Sequence, residues 1–587
     1  MSTMKANRKP KFSSTRNQEL TPKHQGGPHI ESELEDVTDY FTKDGASKLR
    51  ASLGRTVKGQ PNVYTAPFAR KGDQDIPMEQ VLGEWLTILE SIQEKWPSLW
   101  EFENDLARKV GPMSIELPLK DRIEDIEHYY TDILLPQKPI DARAIKAVIK
   151  EFAGARGLHP RTLTATYEKM KKSSSAGSPT MGKRRDHLAD QIASNITCIP
   201  ETNNIFAVYR NRLDKAPDSN CYELTAVLGW RGQEGGPSDE DVKQRVIWMF
   251  PSVANLHELS VYQPLIEVSQ KLDLVPAWVS MDRVDEHITK LFDSKGSTDL
   301  VVCTDFSKFD QHFNKTMRSA AKSILSAILD KSDSSHYWLN EIFPIKYYIP
   351  LTVRYIKGSL YANNPHHSIS LYKGEHGMAS GSGGTNADET LAHRALQYEA
   401  AILNNARLNP HSMCLGDDGI LTYPGITVDD VVEVYKSHGQ ECNVDKQYAS
   451  SQDCVYLRRW HHKDYRVNGV CAGVYSTCRA LGRLRYLERF MDPEFWDEKM
   501  VALRQLSIIE NCNHHPLFEE FVDFCMERDK YRLGLDIPGF FDSLDKRSQE
   551  AIDHMPDFLG YVKTLQSSGK APTLSEWKVV QYLKSKA

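Results

Sequence analysis

Apolar residues recur at helical spacing over residues 78–109, where Val81, Leu82, Trp85, Leu86, Leu89 and Ile92 share a face, and over 141–152, where Ile145, Val148 and Ile149 do. Both stretches predict helices whose role is packing. The period changes over 299–310. Leu300, Val301, Val302 and Cys303 form a short apolar run that predicts a buried strand, Asp305 stands where the run ends, and helical periodicity resumes over 311–329. Residues 243–250 alternate cations or polar groups with bulky apolar ones and predict a strand, and 454–460 predict another. Helical patterns return over 387–403, over 428–438 up to Gly439, and through most of the chain after Leu481. Two short apolar runs flank Gly416-Asp417-Asp418-Gly419, which predicts a tight hairpin with adjacent carboxylates at its tip. Residues 1–48 are polar and without period, and predict a flexible arm able to lie across another lobe.

The chain of 587 residues is too long for one ordinary core and predicts several lobes, and its 40% apolar content excludes wholesale disorder. No apolar run approaches the length of a membrane span and the N-terminus lacks an apolar signal segment, so the expectation is a soluble protein not secreted through a cleaved signal. Ten cysteines spread singly from Cys198 to Cys525 predict free thiols in a reducing compartment. A net charge of −6 decides nothing about nucleic acid, because basic groups can line a channel inside an acidic surface.

Chemistry concentrates in a few segments. Residues 173–185 join small residues, Ser175 and Gly177 among them, to Lys183, Arg184 and Arg185, a combination suited to guiding phosphates. A second basic region runs from Arg210 through Arg231 to Lys243 and Arg245, where a guanidinium can grip phosphate oxygens bidentately. Asp305 at the rim of a strand is placed to hold a metal, whereas Asp310 reads equally as a helix N-cap. The glycine-rich stretch 377–386 leads into a helix and is suited to a sugar-phosphate, but it contains neither a dinucleotide fingerprint nor a P-loop. Cys454, His461, His462, Cys471 and Cys478 match no compact zinc spacing.

The order is what carries weight: basic loop, basic strand, Asp-x4-Asp, Ser-Gly loop with helix, Asp-Asp hairpin, Lys446, then Leu457-Arg458-Arg459. Over residues 173–460 it resembles the palm of the viral RNA-dependent RNA polymerases, and the wording Asp305-Phe306-Ser307-Lys308-Phe309-Asp310 with Ser380-Gly381-Ser382-Gly383-Gly384-Thr385-Asn386 is most similar to picobirnavirus polymerases, with partitiviruses next.

The resemblance implies an α+β right hand. Its fingers are expected at 151–295 and 321–375, its palm, an antiparallel sheet flanked by helices, at 296–320 and 376–470, and a helical thumb at 471–587, closed by a bridging region at 49–150. It implies two Mg²⁺ or Mn²⁺ ions held by Asp305 and Asp417 with Asp418 supporting, and Lys446 as the acid for departing pyrophosphate. Arg245, Lys243, Asp310, Ser380, Thr385 and Asn386 would bind the nucleotide, and Ser175, Gly177, Lys183, Arg184, Gly381, Arg458 and Arg459 the RNA. Partners would be template and nascent RNA, nucleoside triphosphates and a capsid protein, with no membrane, inside a double-stranded RNA virion and the host cytoplasm. An enclosed channel suits initiation without a primer, for which 572–587, with Trp577 and Tyr582, would supply a stacking platform. One departure stands out: where many relatives carry Asn four residues after Thr385, this chain has Glu389. The competing readings are a reverse transcriptase or other palm-type polymerase, and a non-catalytic, capsid-associated RNA-binding protein. Bare carboxylates among basic segments argue against the last, because they repel RNA unless a metal intervenes.

Overall fold

The structure, a computed structural model, describes residues 30–34, 37–58, 64–71, 73–199, 204–211, 213, 220–355, 369–555, 558–567 and 570–587. Of the stretch expected to be a flexible arm, residues 1–29 and 35–36 lie outside that description. The remainder is regular: strand β1 (Ile30–Leu34) and helix α1 (Lys43–Lys58). Residues 78–109 give α2 (Met78–Leu89) and α3 (Pro97–Ala107). Next, α4 (Ala142–Glu151) starts where the Asp141 side chain accepts from Arg143 N at 2.8 Å. Two long strands, β2 (Ala226–Gln233) and β3 (Lys243–Met249), precede the helices α5 (Ser252–Leu272) and α6 (Met281–Ser294). The middle of the chain supplies β4 (Val301–Thr304), α7 (Lys315–Ile328), β5 (Leu351–Tyr355), β6 (Ile369–Lys373) and α8 (Thr385–Leu403). Then come β7 (Met413–Leu415), β8 (Asp418–Leu421), α9 (Val428–Ser437), β9 (Tyr448–Ser450), β10 (Asp453–Tyr456), β11 (Arg459–His462) and β12 (Val474–Tyr475). The C-terminal lobe is helical, with α10 (Thr477–Arg485), α11 (Glu498–Glu510), α12 (Phe518–Arg528), α13 (Leu544–His554) and α14 (Lys578–Lys584).

Two sheets organise these elements. The central one is antiparallel, in the order β7-β8-β4-β9, and α8 packs against β7, α4 and α7. The other runs β1-β6-β5-β2-β3, with β5 and β2 parallel and the remaining pairs antiparallel. The single strand expected at 454–460 is instead a hairpin. Leu457 and Arg458 turn the chain between β10 and β11 at φ of 51° and 63°. Composition hides this turn, because neither residue is a usual left-handed former.

Described residues between 37 and 99 pack into two separate cores. Val37, Phe41, Leu49 and Leu53 are buried against Val227, Ile369 and Leu371 of the five-stranded sheet. Phe68, Trp85 and Leu99 enter the core of the C-terminal helices beside Leu481, Leu503 and Phe521. The wholly buried Glu103 of α3 fastens that seam at the start of α10. It accepts from Ser476 Oγ at 2.7 Å, Thr477 N at 2.9 Å, Thr477 Oγ1 at 2.8 Å, Cys478 N at 3.1 Å and His515 Nε2 at 2.9 Å. Burial alone would push this carboxyl up; His515 and the α10 donors outweigh it and hold it below the ordinary value.

The C-terminal segment also differs from expectation. Val579, Val580 and Leu583 are buried in the same core, Trp577 lies 6.1 Å from the Phe558 ring, and Tyr582 Oη donates to Asp523 at 2.9 Å. Its aromatics are engaged in packing the helical lobe and do not stand free as a platform. All ten cysteines are free thiols.

Candidate active site

Leu415 pairs with Asp418 across a two-residue turn, Gly416-Asp417, in which Gly416 takes φ +59°. Asp417 is therefore the exposed tip, and Asp418 is the first residue of β8. Strand β4 runs antiparallel on the other flank of β8 with Thr304 opposite Gly419, a register that carries Asp305 to the place opposite Asp418. Three carboxylates thus share one edge. The Asp305 backbone is clamped by Gln447, whose Oε1 accepts from Asp305 N at 2.7 Å and whose Nε2 donates to Asp305 O at 2.9 Å.

Helix α8 holds the hairpin from below. Thr390 Oγ1 accepts from Gly416 N at 2.9 Å, and His393 Nδ1 meets Gly416 O at 2.8 Å. Arg394 donates to Ser412 O at 2.6 Å, and Gln397 Nε2 donates to Met413 O at 2.9 Å and Ile420 O at 3.2 Å. Residues 390, 393, 394 and 397 follow the spacing of one helical face. Burial pushes His393 down to about 4, so the neutral ring carries its proton on Nδ1 and donates. Asp388, at the buried start of α8, accepts from Tyr262 Oη at 2.6 Å and Tyr347 Oη at 2.7 Å and pairs with Lys346 at 3.0 Å.

The edge is electrostatically crowded. Burial, Asp417 and Asp305 push Asp418 up to about 7, against relief from Leu457 N at 2.8 Å and from Arg458. Asp305 is raised by burial and Asp417 and eased by Lys446 and Lys109. Deeper in, burial, the charge of Asp310 and the hydrogen bond between the two carboxyls push Glu389 well above the ordinary value. Burial also raises Asp310, while the bond from Glu389 and the charge of Arg245 draw it back.

Around this edge the remaining expected residues divide. Arg245 is exposed on β3 opposite Arg231, and Lys243 is exposed at the strand's start. Ser380 stands beside Tyr129, Thr385 Oγ1 donates to Ser382 O at 3.3 Å, and Asn386 Oδ1 accepts from Trp278 Nε1 at 2.9 Å. Gly177 and Gly381 lie against one strand end: a Cβ would stand 2.5 Å from Phe250 O in the first case and 1.8 Å from Trp248 O in the second. Ser175 Oγ accepts from Gly177 N at 3.2 Å, and exposed Lys183 donates to Ser173 O at 3.1 Å. Lys446 and Arg458 are exposed, and their charges ease Asp305 and Asp418 respectively.

Two expected RNA contacts are otherwise engaged. Arg184 donates to Asn255 Oδ1 at 2.7 Å and Ser175 O at 3.3 Å, and burial pushes it down to about 10, so it fastens its loop to α5. Arg459 is buried, bound to both oxygens of Asp285 at 3.1 and 3.2 Å and to Gly473 O at 3.1 Å. Among the described residues one trio of possible metal donors lies within 4.8 Å, namely Asp282, Asp285 and His514. There the Arg459 guanidinium already supplies the positive charge that Asp285 calls for. Sequence reasoning missed Lys109, Gln447 and the polar face of α8. Only the last had a signal, the spacing of polar residues on a helix otherwise rich in Ala and Leu.

A sequence model described as viral RNA-dependent RNA polymerase matches residues 119–471. The chain belongs to that family. This polymerase is 52% identical over 543 residues, 92% of its chain and 96% of the other, to a protein of a human picobirnavirus described as a potential RNA-dependent RNA polymerase. Its fold matches the crystal structure of the RNA-dependent RNA polymerase of a human picobirnavirus with a TM-score of 0.84 at 51% identity. An insertion-loop deletion mutant of such a polymerase matches with 0.82 at 49%, and each comparison covers 94% of this chain and 99% of the other. The right-hand α+β fold and RNA-directed RNA synthesis follow. No helix among the described residues is long and apolar enough to cross a membrane.

Proposed function

We propose that this polymerase replicates and transcribes a double-stranded RNA genome by nucleotidyl transfer at the Asp305, Asp417 and Asp418 edge, and that it initiates without a primer. The observation that supports the edge is the register of β4, β8 and β7, which aligns an exposed, a half-buried and a strand-end carboxylate. This donor set fits two divalent ions, Mg²⁺ or Mn²⁺: its ligands are hard oxygens, and the burial and the Asp417 charge that raise Asp305 and Asp418 are what a cation offsets. Asp305 and Asp417 would hold them with Asp418 assisting, and when bound they supply activation of the 3′-hydroxyl and stabilisation of the leaving pyrophosphate.

The chain's own groups do the rest. Lys446 stands on the Asp305 side of the edge as the acid for pyrophosphate, and Arg245 and Lys243 face the triphosphate. Asp310, hydrogen-bonded to Glu389, reads the ribose 2′-hydroxyl, the group that marks RNA. Ser380, Gly381, Thr385 and Asn386 shape the floor under ribose and template, while Ser175, Gly177, Lys183 and Arg458 track the RNA backbone. A capsid protein as partner, and work inside the virion and in the host cytoplasm, complete the reading. The N-terminal segment, seated on both the five-stranded sheet and the helical lobe, supports an enclosed channel and thus primer-independent initiation.

Incorporation of labelled NTPs and dNTPs on RNA templates, primed and unprimed, with Mg²⁺ or Mn²⁺, tests this. Asp417→Asn is expected to abolish incorporation while melting as the wild type does; near-normal primer extension by that variant would remove the assignment. A wild type that extends primers yet makes no product on unprimed template would remove the initiation claim alone.

A further inference from the structure

The first turns of α5 hold two of the loops assigned to the RNA. Ser252, Asn255 and Glu258 recur at the spacing of one helical face. On one side stands the loop 173–185, a small hairpin in which Ser175 pairs with Lys183 and Ala176 N donates to Gly182 O at 2.7 Å. Ser252 N donates to Ala176 O at 2.7 Å, and Arg184 Nη2 donates to Asn255 Oδ1 at 2.7 Å. On the other side stands the loop 380–384. Asn255 Nδ2 donates to Gly381 O at 3.3 Å and to Glu258 Oε1 at 3.3 Å, while Glu258 accepts from Ser382 Oγ and, at 3.3 Å, from Gly383 N. Buried Asn255 is thus bonded to both loops. Its partners dictate how the amide lies, because the Arg184 guanidinium only donates and the Gly381 carbonyl only accepts.

We propose that Asn255 is a positioning residue, a latch that fixes the loop 173–185 to the loop 380–384 so that the two grip the RNA as one unit. Asn255 acts through Arg184 and Gly381, and Arg184 serves as the arm of the latch instead of as a phosphate contact. With the latch closed, one loop yields only when the other does, and a strand held by both is seldom released between additions. With the latch cut, each loop yields on its own and release becomes faster. Among the described residues Asn255 bonds to none of Asp305, Asp417, Asp418, Arg245 and Lys243, so the signature is faster RNA release at constant NTP KM. The inference rests on the reading of both loops as RNA contacts.

The test uses the full chain, stalled on a primed RNA and chased with NTPs and excess heparin so that release is final. Asn255→Asp keeps the size and the acceptor for Arg184; beside that guanidinium it is ionised and offers Gly381 O no donor. Release per added nucleotide should rise at least about fivefold, the lower end of what an unmet buried hydrogen bond is worth, with NTP KM unchanged. The slope of RNA affinity against salt should stay as in the wild type, because no phosphate contact is lost. Release within about twofold of the wild type, or a raised NTP KM, overturns the latch. A slope lowered by about one makes Asn255 a direct RNA contact and overturns it equally. Release is counted per bound complex, so a lower melting temperature does not imitate the effect. Should Asn255→Asp not fold, Arg184→Met, which cuts the latch from the other loop, decides by the same readout. Lys183→Ala checks the loop reading by itself, and should weaken RNA binding and lower the slope by about one. If it changes neither, the RNA lies elsewhere; if it does both while Asn255→Asp releases as the wild type, only the latch falls.

Discussion

Asp418 offers a perturbation whose size can be worked from its surroundings. In the folded chain its carboxyl keeps its proton to about pH 7, because of burial and the charges of Asp417 and Asp305, whereas its ordinary value is 3.8. Between those values unfolding releases a proton, so this group's contribution to stability is complete below pH 3.8, declines as pH rises, and is lost above about 7. The full difference is worth at most about 4 kcal/mol, and partial solvent contact of the side chain reduces it to about 2 kcal/mol. Asn in its place keeps an acceptor for Leu457 N and has no proton to release. Urea denaturation of wild type and Asp418→Asn in metal-free buffer should therefore give a gap in favour of Asn that widens by about 2 kcal/mol from about pH 4.5 to about pH 8. Added Mg²⁺ at the higher pH should stabilise the wild type more than the variant, because an ion that binds only the native ionised edge offsets its repulsion. Parallel stability curves across that pH range would refute the electrostatic account of the edge.

Three further outcomes are expected. Thr390→Val deprives buried Gly416 N of its acceptor, which costs about 1–3 kcal/mol; the melting temperature should fall and kcat drop while the NTP KM stays constant, as steady-state extension kinetics would show. Glu389→Gln keeps a donor toward Asp310 and should preserve preference for NTPs over dNTPs, whereas Glu389→Ala should relax it; competition assays with both sugars decide, and unchanged selectivity in both would remove Glu389 from ribose recognition. Glu103→Ala strands four buried donors at the start of α10 and His515 Nε2, and should destabilise the chain by about 3–5 kcal/mol in denaturant titrations, with Glu103→Gln less damaging.

Periodic and punctuated stretches were readable in the sequence because local rules decide them. The helix over 141–152, the strand ending before Asp305 and the tight turn at Gly416 each obey a short-range preference that tertiary contacts did not override. Long-range pairing was not readable. Nothing in the polar run around residues 30–34 says that it adds a fifth strand beside Ile369–Lys373, since a strand's edge partner lies hundreds of residues away. Arg184 and Arg459 look like exposed cations in sequence, and only the fold shows Asn255 and Asp285 waiting for them. The Leu457-Arg458 turn escaped for a third reason, that its left-handed backbone is imposed by the strands on either side and by Asp418 accepting from Leu457 N.

The least legible feature is also the one that joins lobe to chemistry. Helix α3 carries Glu103, sealed into the start of α10, and ends two residues before Lys109, whose charge eases Asp305. Lys109 is tied back to Asp105 on the same helix at 2.8 Å, so its position follows that of α3. Seating of the helical lobe on α3 therefore sets a positive charge near the carboxylate edge, in addition to that of Lys446. A change that loosens the Glu103 seam should thus raise Asp305 further and shift the pH at which incorporation begins upward, even though Glu103 itself touches none of the three carboxylates.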